Sequence, residues 1–192
     1  MSRAGTARLF VAVELPAEVA ERLVRWGREV VGTCGPWQRR PRVLAEEALH
    51  LTLCFLGSRA IGEIGGLVRA LEPCGEYEGE LSLGAPIWLP PRRPASLAVE
   101  VRDSNGSLAA LQGAVTEGLR SACDWQPRPG RFRPHVTVIR SREGAGASEG
   151  ALPATPRLGF APESMVLYRS YLDQAGARYE PLATYTLSPG VG

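Results

Sequence analysis

His50-Leu51-Thr52-Leu53 and His135-Val136-Thr137-Val138 are one pattern written twice, and together they use both histidines of a 192-residue chain. Each copy alternates polar with apolar. Successive side chains of a β-strand point to opposite faces, so His and Thr share one face while Leu or Val enters the core. Each strand then offers one imidazole and one hydroxyl. An imidazole titrates near pH 6.5, so two of them facing one cavity can act as general acid and general base at neutral pH. The plainer alternative is two unrelated strand histidines, and the recurrence of the whole pattern weighs against it.

The surroundings of the two copies also repeat. Arg8 to Leu15 reads as a buried strand, and Pro16 opens a helix with Val19, Leu23, Val24, Val30 and Val31 on one face, ahead of the first motif strand. Ser96 to Arg102 reads as a strand, Asp103 to Gly106 as a turn or cap, and Leu108, Leu111, Val115 and Leu119 mark a helix ahead of the second. Phe10 to His50 spans 40 residues and Ala98 to His135 spans 37, as an internal duplication would give. Residues 61–71 carry a further amphipathic helix, Leu81 to Leu89 a strand, and Pro90 to Pro94 a loop between lobes. Ser141 to Gly150, small, polar and glycine-rich, reads as a mobile loop, and strands are expected over Ser164 to Leu172 and Arg178 to Leu187, as a hairpin around Gln174-Ala175-Gly176. The expectation is a single α+β domain over 1–192, bilobal, with sequence-related halves at about 8–90 and 96–187.

Composition narrows the class. Hydrophobic residues make up 44% and charged residues 22%, which favours an ordinary globular core over disorder. No run approaches the roughly 18 apolar residues of a membrane span, and Met1 to Thr6 lacks the apolar stretch of a signal peptide, so a cytoplasmic protein without a membrane partner is expected. Cys34, Cys54, Cys74 and Cys123 are scattered, with no Cys-x-x-Cys, and read as reduced thiols. A net charge of +2 is too small for a long nucleic-acid track, yet every one of the 22 basic residues is arginine, which suits bidentate phosphate contacts. No metal site is expected, because a catalytic zinc wants about three converging ligands and each motif supplies one imidazole.

Arg8-Leu9-Phe10-Val11-Ala12-Val13-Glu14-Leu15-Pro16, His50 through Phe55-Leu56-Gly57, Arg133-Pro134-His135 through Arg140, and Leu167-Tyr168-Arg169-Ser170 on to Leu187 resemble the RNA 2′,3′-cyclic phosphodiesterases. These are also called 2′-5′ RNA ligases, of the two-histidine phosphoesterase superfamily. The resemblance covers roughly Arg8 to Leu187. It departs at Arg42-Val43, where members often carry Arg-Trp, and at Cys54, where a basic residue is frequent.

The resemblance implies two antiparallel sheets related by a pseudo-two-fold axis around a central cleft, with helices on the outer faces. It also implies metal-independent opening of RNA 2′,3′-cyclic phosphate ends to 2′-phosphomonoesters, with reversible 2′-5′ ligation beside it and no cofactor. By the same carry-over His50 is the proton donor to O3′ and His135 the proton acceptor from water, while Thr52 and Thr137 bond the non-bridging oxygens and Arg140 contacts phosphate. Phe55 matches an aromatic that stacks on the base, whereas strict alternation puts it on the apolar face with Leu51 and Leu53. The implied partner is an RNA with a cyclic end or a small cyclic nucleotide, bound by a monomer. A catalytically idle RNA- or nucleotide-binding module using the same cleft is the alternative reading.

Overall fold

The computed structural model describes residues 5–34, 41–127, 129–141, 152–173 and 176–189. In chain order these form β1 (Thr6–Glu14), α1 (Ala17–Thr33), β2 (Arg42–Val43), β3 (His50–Ala60), α2 (Ile64–Leu71), β4 (Leu81–Leu89), β5 (Ser96–Asp103), α3 (Ser107–Ala122), β6 (His135–Arg140), β7 (Gly159–Phe160), β8 (Ser164–Asp173) and β9 (Gly176–Thr186). The three helices fall where the apolar spacing predicts them. The first turn of the 61–71 segment is a 3₁₀ helix, Ile61–Glu63, the tighter winding common at helix starts. Ahead of α3, the Asp103 carboxylate accepts the Ala109 amide at 2.9 Å and Asn105 Oδ1 accepts the Ser107 amide at 3.2 Å. That turn therefore satisfies amides the helix start would otherwise leave bare. Short strands β2 and β7 were not expected. The expected mobile loop, apart from Ser141, and the Gln174-Ala175 tip lie outside the described residues.

The strands form one antiparallel sheet in the order β7-β4-β5-β6-β3-β1-β8-β9, with β2 paired to β6. The two expected sheets are its two halves, four strands each. They join at β3 and β6 through one residue pair, Leu51 opposite Val136. Pairing β1 with β3 and β5 with β6 on either side of that junction generates the pseudo-two-fold relation.

The lobes do not follow chain halves 8–90 and 96–187. β4, from the first half, pairs with β5 across a short connection closed by the Ala95 amide on the Leu89 carbonyl at 2.8 Å. β8 and β9, from the second half, extend β1 instead. A short antiparallel connection ties β4 to the strand that follows it. The edge of β1 is left for the terminal hairpin, which satisfies its amides and carbonyls.

One face of the sheet carries the helices. Ala7, Leu9, Val11 and Val13 alternate into that core with the buried stripe of α1 and with Leu108, Leu111, Val115 and Leu119 of α3. Each long helix packs on the strand of the other unit, α1 on β6 and α3 on β3. Gly27 permits the first approach, since a Cβ there would lie 2.8 Å from Val138 and 3.0 Å from Val43. No helix among the described residues is long and apolar enough to cross a membrane.

Leu51 and Val136 are both fully buried at the junction. Leu51→Ala is expected to cost about 2–5 kcal/mol in urea unfolding, because the cavity sits where the halves meet and neither can collapse into it. A loss under about 1 kcal/mol would show that the halves are held together elsewhere.

Candidate active site

The two motifs have the same burial sequence: His, Thr and the sixth residue reach the open face or solvent, while the second, fourth and fifth are buried. A bulge produces this pattern. Ala12 lies opposite Thr52 but Val11 opposite Cys54, which leaves Leu53 as the extra residue. Ala98 lies opposite Thr137 but Leu97 opposite Ile139, which leaves Val138. An extra residue in one strand reverses the alternation beyond it. The fifth residue after each histidine is thereby turned toward the histidine side, and these two residues are Phe55 and Arg140.

Of the two placements open for Phe55, the core with Leu51 and Leu53 is the one the structure contradicts: Phe55 is 48% exposed, opposite Phe10 with ring centroids 6.0 Å apart. Cys54 takes the buried side instead, and its thiol lies 3.4 Å from Thr116 Oγ1 on α3.

The junction register puts the motifs side by side in opposite directions. With Leu51 opposite Val136, antiparallel order sets His50 beside Thr137 and Thr52 beside His135. Each histidine is oriented in the same way. His50 Nδ1 lies 3.0 Å from the Ala48 carbonyl and His135 Nδ1 lies 2.8 Å from the Arg133 carbonyl, both two residues back. A carbonyl only accepts, so Nδ1–H donates in both rings and Nε2 is the nitrogen left to exchange a proton.

The His50 imidazole is enclosed by aromatic rings. His50 sits against Phe10 at 4.9 Å and edge-on to Tyr179 at 5.0 Å. Burial lowers its pKa to about 4; the bond to Ala48 opposes this, and the charges of Arg140 and His135 add to it. Arg140 and His135 therefore both act on His50. A cleft of about 510 Å³ opens beside the junction, lined by Thr52, Phe55 and His135 together with Trp125, Phe132 and Arg133. Three expected residues line this cavity, and His50, Thr137 and Arg140 lie outside it. Among the described residues no group of three or more His, Cys, Asp or Glu is disposed to hold a metal ion.

Sequence reasoning missed Glu14 and Glu100, which stand opposite His50 and His135 on the neighbouring strands. Glu14 accepts Ser164 Oγ at 2.6 Å and the Tyr168 hydroxyl at 2.9 Å, and Tyr168 titrates above its ordinary value through burial and that bond. Glu100 is engaged by the Arg133 guanidinium at 2.5 Å. The signal was present as Val11-Ala12-Val13-Glu14 against Leu97-Ala98-Val99-Glu100. The equivalent of Ala98 is Ala12 rather than Phe10, which makes the intervals to the histidines 38 and 37 residues. Ala12 and Ala98 are fully buried, each opposite the threonine of its motif.

No protein-family model matches the chain. It is 29% identical over 195 residues to RNA 2′,3′-cyclic phosphodiesterase of Escherichia coli (strain K12), covering 94% of this chain and 97% of that protein. Its fold is similar to that of E. coli LigT crystallised with 3′-AMP, with a TM-score of 0.78 and 25% identity over 96% of this chain and 99% of that one. TT0787 of Thermus thermophilus is similar to the same degree, with a TM-score of 0.78 and 25% identity over 95% and 98%.

The depressed pKa of His50 has a consequence for stability. Between about pH 6.5 and 4 the unfolded chain binds a proton at this position that the folded protein refuses, so stability falls as pH falls through that window. From pH 7 to 5 the contribution is up to about 2 kcal/mol. His50→Gln, which cannot titrate, should remove this part of the slope in urea unfolding at the two pH values. An unchanged slope would mean that His50 charges freely in the folded protein.

Proposed function

From the premise that this chain is a homologue of the RNA 2′,3′-cyclic phosphodiesterases over nearly its whole length, we propose that it hydrolyses RNA 2′,3′-cyclic phosphate ends to 2′-phosphomonoesters. One observation carries the reading. Two strands present a histidine and a threonine each, with the same Nδ1 anchor, on either side of a single residue pair.

Water attacks phosphorus as O3′ departs on the opposite side, so one proton must leave the nucleophile while another reaches the leaving oxygen. Two imidazoles on different half-sheets suit two separated transfers. In this reading His135 Nε2 accepts the water proton and His50 Nε2 delivers one to O3′; the P–O3′ bond breaks and phosphate stays on O2′. Burial keeps His50 neutral in the free protein at pH 7. It takes up its proton together with the anionic substrate, whose charge offsets that of Arg140. Thr52 and Thr137 donate to the non-bridging oxygens, Arg140 supplies charge, and Phe55 offers a face for the base. A 5′-hydroxyl in place of water would give a 2′-5′ linkage by the same displacement. Both imidazoles come from one chain, so a monomer suffices, and in this reading the Thr hydroxyls and Arg140 meet the negative charge that a metal would otherwise meet.

The direct test is to incubate the protein with a short RNA ending in a 2′,3′-cyclic phosphate and identify the end group. A terminal 2′-phosphate is expected. A 3′-phosphate would reverse the positions of acid and base, and no turnover of any cyclic phosphate would leave a nucleotide-binding cleft. Turnover should survive exhaustive chelation; loss with EDTA and recovery with zinc or manganese would overturn the metal-free route.

His50→Ala and His135→Ala should each lower turnover at least about a hundredfold, with little further loss in the double variant. Their residual pH profiles separate the roles. His50→Ala should keep the limb that rises with pH and lose the one that falls, and His135→Ala the reverse. The opposite pattern would exchange acid and base.

A further inference from the structure

Further cavities adjoin the cleft. Arg131, Phe132 and Arg133 line it and also line a second cavity of about 420 Å³ that reaches Arg102. Arg102 in turn lines a third cavity, about 650 Å³, which holds Arg157 and Thr155. The three cavities thus adjoin in a row, a furrow that starts at His135 and reaches β5 and β4, with Arg102 as the residue common to its last two parts. Guanidinium groups recur along its otherwise largely apolar wall and are open to solvent, since Arg102, Arg131 and Arg157 are exposed. Among the described residues none of these three belongs to an ion pair. The acidic residue of the second cavity, Glu100, is held by Arg133 at 2.5 and 3.1 Å, so its charge is met within the protein. Backbone irregularity opens the far cavity. The register of β4 shifts between Leu83 and Pro86, and Gly84 lies so close to Arg102 that a Cβ there would come within 3.5 Å of its Nε.

We infer that this furrow binds the phosphodiester backbone of the RNA body, the nucleotides on the 5′ side of the cyclised one. The inference rests on the proposed reaction, whose chemistry supplies the geometry. A 2′,3′-cyclic phosphate ends its strand, so everything else of the substrate leaves the site in one direction and needs one track. A groove with guanidinium groups along it and aromatic faces at its inner end is how single strands are held without sequence preference. Arginine forks match phosphate oxygens, and a basic composition made of arginine alone concentrates that capacity.

The test compares a 2′,3′-cyclic mononucleotide with an RNA of about ten nucleotides bearing the same cyclic end, the length scale of a single-strand groove. In Arg102→Ser/Arg157→Ser the ratio of kcat/KM for the long RNA to that for the mononucleotide should fall about tenfold at low salt. The log–log salt dependence for the long RNA should become shallower by about 1.4, since each phosphate contact on a single strand contributes about 0.7. A charge-matched control, Arg169→Ser/Arg178→Ser, removes two guanidiniums stacked on Tyr171 in the other half-sheet and should alter neither quantity. An unchanged ratio and slope in the first variant, or an equal fall in the control, overturns the track. If the wild-type protein turns over neither substrate, the reaction fails while the track is still read by anisotropy with the same RNA. Equal affinity of wild type and Arg102→Ser/Arg157→Ser would then overturn the track as well.

Discussion

A single cross-strand pair, Leu51 against Val136, is the constraint on which the rest depends. Each lies between a histidine and a threonine of its own motif, so burying the pair lifts four polar side chains onto the opposite face. Because the strands run antiparallel, the histidine of one motif falls beside the threonine of the other. The helices reinforce this junction from behind, with α1 on β6 and α3 on β3. Each helix thus crosses to the other unit, and the two units bury their motif strands jointly.

The bulge after each threonine extends the face. A regular strand would give a histidine, a threonine and then the fifth residue, with Cys54 and Ile139 in the open; the extra residue returns both to the core and brings out Phe55 and Arg140 instead. One backbone device used twice therefore presents different chemistry on its two sides. The half-sheet of β3 carries a ring and is floored by Phe10, Tyr168 and Tyr179. The half-sheet of β6 carries a guanidinium. The same division explains why His50 is the desolvated imidazole, since its side of the junction is aromatic and Arg140 adds an unfavourable charge.

The motif histidines, their threonines and the duplication were legible because they depend on period and repetition, which the linear chain displays. A period of two puts His and Thr on one face wherever the strand lies, and recurrence of the pattern in two similar contexts marks two equivalent strands. The helices were legible for the same reason. The side taken by Phe55 and Cys54 was not legible, because a bulge is set by the partner strand and the alternation rule has no term for it. The lobe boundary was misplaced for a related reason. Chain order ties β4 to the first half, whereas hydrogen-bonding groups on the edges of β5 and β1 decide which strand each will accept.

What the chain determined by itself is therefore which groups share the open face, one imidazole and one hydroxyl on each of two equivalent strands, because local periodicity is encoded residue by residue. The tertiary structure alone decided how those groups stand to one another. The Leu51–Val136 register makes neighbours of strands 85 residues apart. The bulges bring Phe55 and Arg140 to the open side, and burial makes His50 harder to charge than a free imidazole. These features arise from contacts between segments distant in sequence, where packing and desolvation act on pairs that no local pattern specifies.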